Sequence, residues 1–143
     1  MTESTPVSIN VVSEIHNEKD HDIEKIEVAT TGEYIEKGRS IYLRYNEKHE
    51  LGSVRTTVKI GDDEVVVMRS GAVTMKQRFI QAIPTVTDYG TPFGKLQLQT
   101  FTHTLQFEKT ELEDRLVILY DLQIDENEKH VHKLMISYKE DNK

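Results

Sequence analysis

From Val54 to Ile80, apolar side chains recur at every second position in short runs broken only by turn residues: Val54, Val58 and Ile60, then Val65 to Met68, then Val73, Met75 and Phe79. A period of two sends alternate side chains to opposite faces of a strand, so this segment predicts adjacent antiparallel strands in a meander. Gly61-Asp62-Asp63 supplies the turn chemistry of a hairpin between the first two runs. A helix here would scatter its apolar side chains around the axis instead of gathering them on one stripe.

The same alternation extends over nearly the whole chain. Val7, Ile9, Val11 and Ile15 predict a first strand, Ile23 to Ala29 a less regular second one ending at Thr31-Gly32, and Ile41, Leu43 and Tyr45 a third. Asn17 to Asp22 reads as a solvated turn. Leu96 and Leu98 are apolar at even positions, whereas Phe101, Leu105 and Phe107 are apolar at odd ones. Such a phase change within one strand predicts a bulge or bend, placed by this pattern near Thr100, where a sheet can turn a corner. Leu116 to Ile124 reads as a well-covered strand, and Leu134, Ile136 and Tyr138 as the last. Thr110-Glu-Leu-Glu113 has capping-box spacing, for at most one helical turn. The expectation is therefore an all-β chain: a single antiparallel up-and-down barrel of about eight to nine strands. Residues 1–143 form one domain, with charged ends at 1–5 and 139–143 expected to be flexible. A sandwich with Greek-key connections alternates in the same way and stays open as the rival architecture.

Composition narrows the function classes. Without cysteine, disulfide scaffolds, thiolate zinc sites and cysteine nucleophiles are excluded, and a reducing, cytoplasmic location is expected. The first residues lack a basic stretch followed by an apolar one, and the longest apolar run, Leu116 to Tyr120, is far below the roughly 20 residues that cross a bilayer. No membrane association is expected. The net charge of −7 repels phosphate backbones at long range, so nucleic acid is not an expected partner. Only residues 52 to 109 carry more bases, 7, than acids, 5, which leaves room for a local site for a small anion.

Tyr42-Leu-Arg-Tyr45 followed by Glu47, Met68-Arg-Ser-Gly71, Tyr89-Gly-Thr-Pro-Phe-Gly94 and a later threonine-rich strand resemble the uncharacterised YwiB-like family of Bacillus-type bacteria. The resemblance covers nearly the whole chain. It implies a calycin-like, lipocalin-type β-barrel with no established activity, and with it a hint of ligand binding.

A barrel of this size either fills its interior with side chains or holds one small ligand. Met75, Phe79, Phe101, Leu105, Phe107, Leu116 and Ile118 are expected inside and could fill it. Tyr45, Arg69, Gln77, His103, Tyr120 and Tyr138 are polar at or near apolar-phase positions, where they must either bond one another or present a polar handle to a ligand. Arg69 stands out. An arginine following Val65-Val-Val-Met68 must reach the barrel mouth or be paired, with Glu47 as the candidate partner, and a cavity-lining guanidinium offers a bidentate site for carboxylate or phosphate. The expected ligand-binding residues are Tyr45, Arg69, Gln77, His103 and Tyr120.

No catalytic residues, metal site or cofactor are assigned. His130 and His132 share a face of the last strand and could chelate a metal if His16, His21 or Asp22 joined them, but a hydrophilic strand beside an acidic loop is more simply exposed. Arg44, Arg55, Lys59, Lys76 and Arg78 suggest the triphosphate-hydrolysing tunnel barrels, yet the first strand, Val7-Ser-Ile-Asn-Val-Val12, lacks the Glu-x-Glu-x-Lys element of those enzymes. These five alternate with the apolar set and are expected on the outer wall. The leading expectation is thus a non-enzymatic barrel binding a small amphipathic or anionic molecule. The alternative is a non-catalytic interaction module with a filled barrel, forming a homodimer through Val65 to Met68 or Leu116 to Tyr120.

Overall fold

The computed structural model describes residues 3–17, 22–125 and 128–141. They form ten strands: β1 (Ser4–Asn17), β2 (Ile23–Lys37), β3 (Ser40–His49), β4 (Gly52–Ile60), β5 (Val65–Gly71), β6 (Met75–Phe79), β7 (Pro84–Thr91), β8 (Gly94–Lys109), β9 (Asp114–Asp125) and β10 (Glu128–Glu140). No helix occurs among the described residues. One antiparallel sheet runs β6-β5-β4-β3-β2-β1-β10-β9-β8-β7, in which every neighbour is also a sequence neighbour except for β1 against β10. That pairing joins the two ends of the chain, from Val7 opposite Glu140 to Asn17 opposite His130. Ser4 and Thr5 pair with β2, and Lys139 and Glu140 with β1.

The sheet curls until β6 and β7 meet, giving a nearly closed barrel. Thr74 and Gly90 exchange backbone bonds of 2.9 and 2.8 Å across this seam, Ala82 N–H donates to the Thr102 carbonyl at 2.8 Å, and the Thr85 hydroxyl donates to the Arg78 carbonyl at 2.7 Å. The chain reverses between β6 and β7 at Ile80–Ile83 with Ala82 at φ +65°, a left-handed conformation that costs a non-glycine residue about 1–2 kcal/mol. Two layers of a sandwich would break the ladder into separate sheets; here it is continuous.

Alternation sets the inside. Register puts Ile41, Ile60, Val65 and Phe79 in one inward row, and Leu43, Val58, Val67 and Gln77 in the next. These residues pack with Val7, Ile9, Leu116, Ile118, Ile136 and Tyr138 into a single core. At roughly 1.5–3 kcal/mol for each fully buried large apolar side chain, this core is the main stabilising term. Gly32 sits where β2 first meets β3: a Cβ there would lie 2.2 Å from the Arg44 carbonyl oxygen and 2.8 Å from Ile9 Cδ1, so the two strands approach only because position 32 has no side chain.

The sequence expectation differs from this fold in particular places. Strand β7 brings the total to ten, because Pro84 and Gly90 conceal a strand whose inward residues are Thr87 and Tyr89. The phase change in β8 is a bulge between Thr102 and Thr104, so Phe101 opposes Asp121 on the outer wall while Leu105 and Phe107 face in. Thr110 to Glu113 forms a tight turn closed by Thr110 N–H to the Glu113 carbonyl at 3.1 Å, not a helical turn. Val65 to Val67, Leu116, Ile118 and Tyr120 are buried within the chain, while Met68, Val117 and Leu119 are half-buried.

Candidate functional site

The interior is filled at one end and polar toward the other. Inward-facing Val7, Ile9, Leu43, Val58, Val65, Phe79, Leu116 and Ile118 are fully buried, whereas inward-facing Val11, Ile15, Glu47, Arg69, Leu105, His132 and Leu134 keep partial exposure. The wet half contains the charged pair.

Arg69 lies opposite Thr56 on β4 and Met75 on β6, pointing inward. Its guanidinium comes within 3.7 Å of Glu47 Oε2, with the two side chains 31% and 25% exposed, and Glu47 Oε1 accepts the Thr56 hydroxyl at 2.8 Å. The pair is long for a charge-assisted hydrogen bond, and the buried Arg69 Nε has no partner. Tyr45, opposite Thr56, and Tyr120 both feel the Arg69 charge. Burial pushes the Tyr45 hydroxyl well above the usual tyrosine range, with Glu47 adding to the rise and Arg69 opposing it. Burial likewise pushes Tyr120 up to about 12, against the Arg69 field. Both phenols stay protonated at neutral pH.

Tyr120 is the hinge between this group and β10. Its ring packs edge-on against Phe79 at 4.8 Å and stacks on His132 at 5.0 Å, with its hydroxyl 3.4 Å from His132 Nδ1. Burial, helped by the neighbouring His130, lowers His132 to about 4, so its imidazole is neutral, and its buried Nε2 lacks a partner. Thr102, opposite Tyr120, and Thr87 likewise carry buried hydroxyls without partners. Unbonded buried polar atoms are uncommon in folded chains; Arg69 Nε, Thr102 Oγ1 and His132 Nε2 all face inward, and the Tyr138 hydroxyl, opposite Ile9, is a further one in the filled half. Together Arg69, Tyr45, Tyr120 and His132 offer recognition chemistry: one cation, two persistent hydroxyl donors and a neutral imidazole.

Of the residues expected in the site, Tyr45, Arg69 and Tyr120 come together. Gln77 faces inward but donates to Thr100 Oγ1 at 3.0 Å across the seam, a closure role. His103 is a correction. The bulge turns it outward, where it lies 3.0 Å from Asp121 and edge-on to Phe101 at 5.1 Å. His130 and His132 do share a face, with ring centroids 6.1 Å apart, and among the described residues no set of three or more histidine, cysteine or carboxylate side chains is arranged to hold a metal. His21 lies outside the described residues. The sequence reading put Thr56 in phase with Val54, Val58 and Ile60 without assigning it to the site, and missed Thr87 and Thr102; the inward phase of Thr102 was legible from Leu96 and Leu98 in the same even register.

On the outer wall, β2 parts from β3. The ladder between them ends at Gly32 opposite Tyr45, and a cleft of about 620 Å³ opens there, bordered by Gly32, Arg44, Tyr45, Asn46 and Arg55. Tyr45 belongs to both the cleft and the Arg69 group.

A family described as a domain of unknown function (DUF1934) matches residues 9–136. The chain belongs to that family. It is 42% identical over 138 residues to the uncharacterized β-barrel protein YwiB of Bacillus subtilis (strain 168), covering 96% of both sequences. The crystal structure of ywiB protein from Bacillus subtilis superposes with a TM-score of 0.87 at 41% identity, over 97% of this chain and 94% of that one. These matches establish the family and the barrel architecture.

Proposed function

We propose that the chain is a non-enzymatic binding protein for a small amphipathic anion, held in the polar half of the barrel with its carboxylate or phosphate on Arg69. The observation that carries this reading is the Arg69 guanidinium itself: inward-facing, with a buried and unbonded Nε and only a loose contact to Glu47. A guanidinium in this state has a free edge for bidentate pairing, and Tyr45 and Tyr120 supply protonated donors beside it. Val11, Ile15, Leu105 and Leu134 give an apolar wall for the remainder of the molecule. The charged outer wall, with exposed Arg44, Arg55, Lys76 and Arg78, fits an aqueous and cytoplasmic setting better than a lipid one.

Native and denaturing mass spectra of freshly purified protein, before and after addition of decanoate, test the proposal. A mass retained only under native conditions, or saturable decanoate uptake, is expected for the wild type and is lost in Arg69→Met, whose folding is checked by circular dichroism. Absence of both in the wild type, or equal uptake by a folded Arg69→Met, would overturn it.

A further inference from the structure

Among the described residues, Ile23 to Thr31 of β2 pair with β1 on one side and with no strand on the other, since β3 joins only from Gly32 onward. The segment from Ile23 to Ala29 is exposed on both faces, including Ile23 at 63%, Ile26 at 46% and Val28 at 41%. A long, uncovered, apolar strand edge is what folded proteins ordinarily blunt or pair.

The ladder shows which backbone groups point outward. Asn17 N–H donates to the Asp22 carbonyl at 3.2 Å, so Asn17 and Asp22 form a hydrogen-bonded pair. Bonded and unbonded pairs alternate in an antiparallel ladder, so even-numbered residues of β2 bond β1. The N–H and C=O groups of Ile23, Lys25, Glu27, Ala29 and Thr31 therefore face the open edge. Carried along β2, the same parity turns the backbone groups of Glu33, Ile35 and Lys37 toward β3.

A second copy meeting this edge across a two-fold axis must place one β2 residue opposite itself. Centring on Lys25 or Glu27 opposes like charges, and centring on Val28 sets Lys25 against Thr31 and Glu27 against Ala29. Centring on Ile26 puts Lys25 opposite Glu27 twice, Ile23 opposite Ala29 twice, and the two Ile26 side chains together at an unbonded position, where side chains approach most closely. That register also closes about eight backbone hydrogen bonds.

We propose that the chain forms a two-fold homodimer by antiparallel pairing of β2 edges about Ile26, with Lys25 of each copy opposite Glu27 of the other. The interface is isologous and self-complementary in charge, apolarity and hydrogen-bond direction. It is independent of ligand binding at Arg69.

Sedimentation velocity of the full chain over a wide concentration range tests it, with thermal melts to confirm folding. The wild type should pass from monomer to dimer. Glu27→Lys, and Lys25→Glu, should each raise the dissociation constant at least about tenfold. The double variant should recover dimerisation, because it restores the pair with signs exchanged. Lys25 also lies opposite Glu14 on β1, so Glu27→Lys is the cleaner single change. A wild type that stays monomeric, leaving the edge to some other chain, would overturn the proposal. So would a dimer indifferent to either single reversal, or a double variant no better than the singles.

Discussion

Two inward side chains decide how the polar half behaves, and each does so through what burial denies it. His132 titrates at about 4 in the folded chain against an ordinary 6.5. As pH falls, the unfolded chain takes up this proton first. Stability linked to His132 is therefore present above pH about 6.5 and is lost between about 6.5 and 4, by at most about 3 kcal/mol. Urea midpoints measured across that window should show His132→Gln losing less stability than the wild type as pH falls; parallel curves would contradict the buried neutral imidazole. Arg69 was legible in the sequence because it breaks an apolar run, and its candidate partner Glu47 sits two strands away on β3, beyond β4. His103 misled for a physical reason: alternation assigns faces only while the ladder is unbroken, and the bulge at that residue reverses the parity.

Among the strands, the alternating centres of β1, β3, β4 and β10 were legible, although Asn46 to His49 of β3 and the start of β10 at Glu128 read as turn or loop. Strand β7 was not, because its inward positions are Thr87 and Tyr89 and it begins at a proline. Strand β2 was read as ending at Thr31-Gly32, although it continues to Lys37. Glycine there marks a close crossing with β3, not a stop. Gly32→Val should push β3 away from β2 and lower stability by more than about 2 kcal/mol, since the Arg44 carbonyl leaves no room for a Cβ. The guanidinium midpoint reads this directly, and a midpoint equal to that of the wild type would mean that the crossing is looser than described.

At the level of the whole molecule, a meander closes because β1 and β10 zip the chain ends together while β6 and β7 meet over a weaker seam. The apolar rows fill one half of the enclosed space, and the other half gathers the polar residues that the core excludes. How completely a barrel fills was not legible from composition, because it depends on which rows reach the same level, and that is set by register. The most direct measurement is the Arg69 Nε–H resonance in a nitrogen–proton correlation spectrum during titration with decanoate. The account predicts a saturable shift of that signal, accompanied by Tyr45, Thr56 and Tyr120, and its protection from solvent exchange. An unmoved Arg69 signal, or shifts confined to the exposed β2 edge around Ile26, would contradict a binding site inside the barrel.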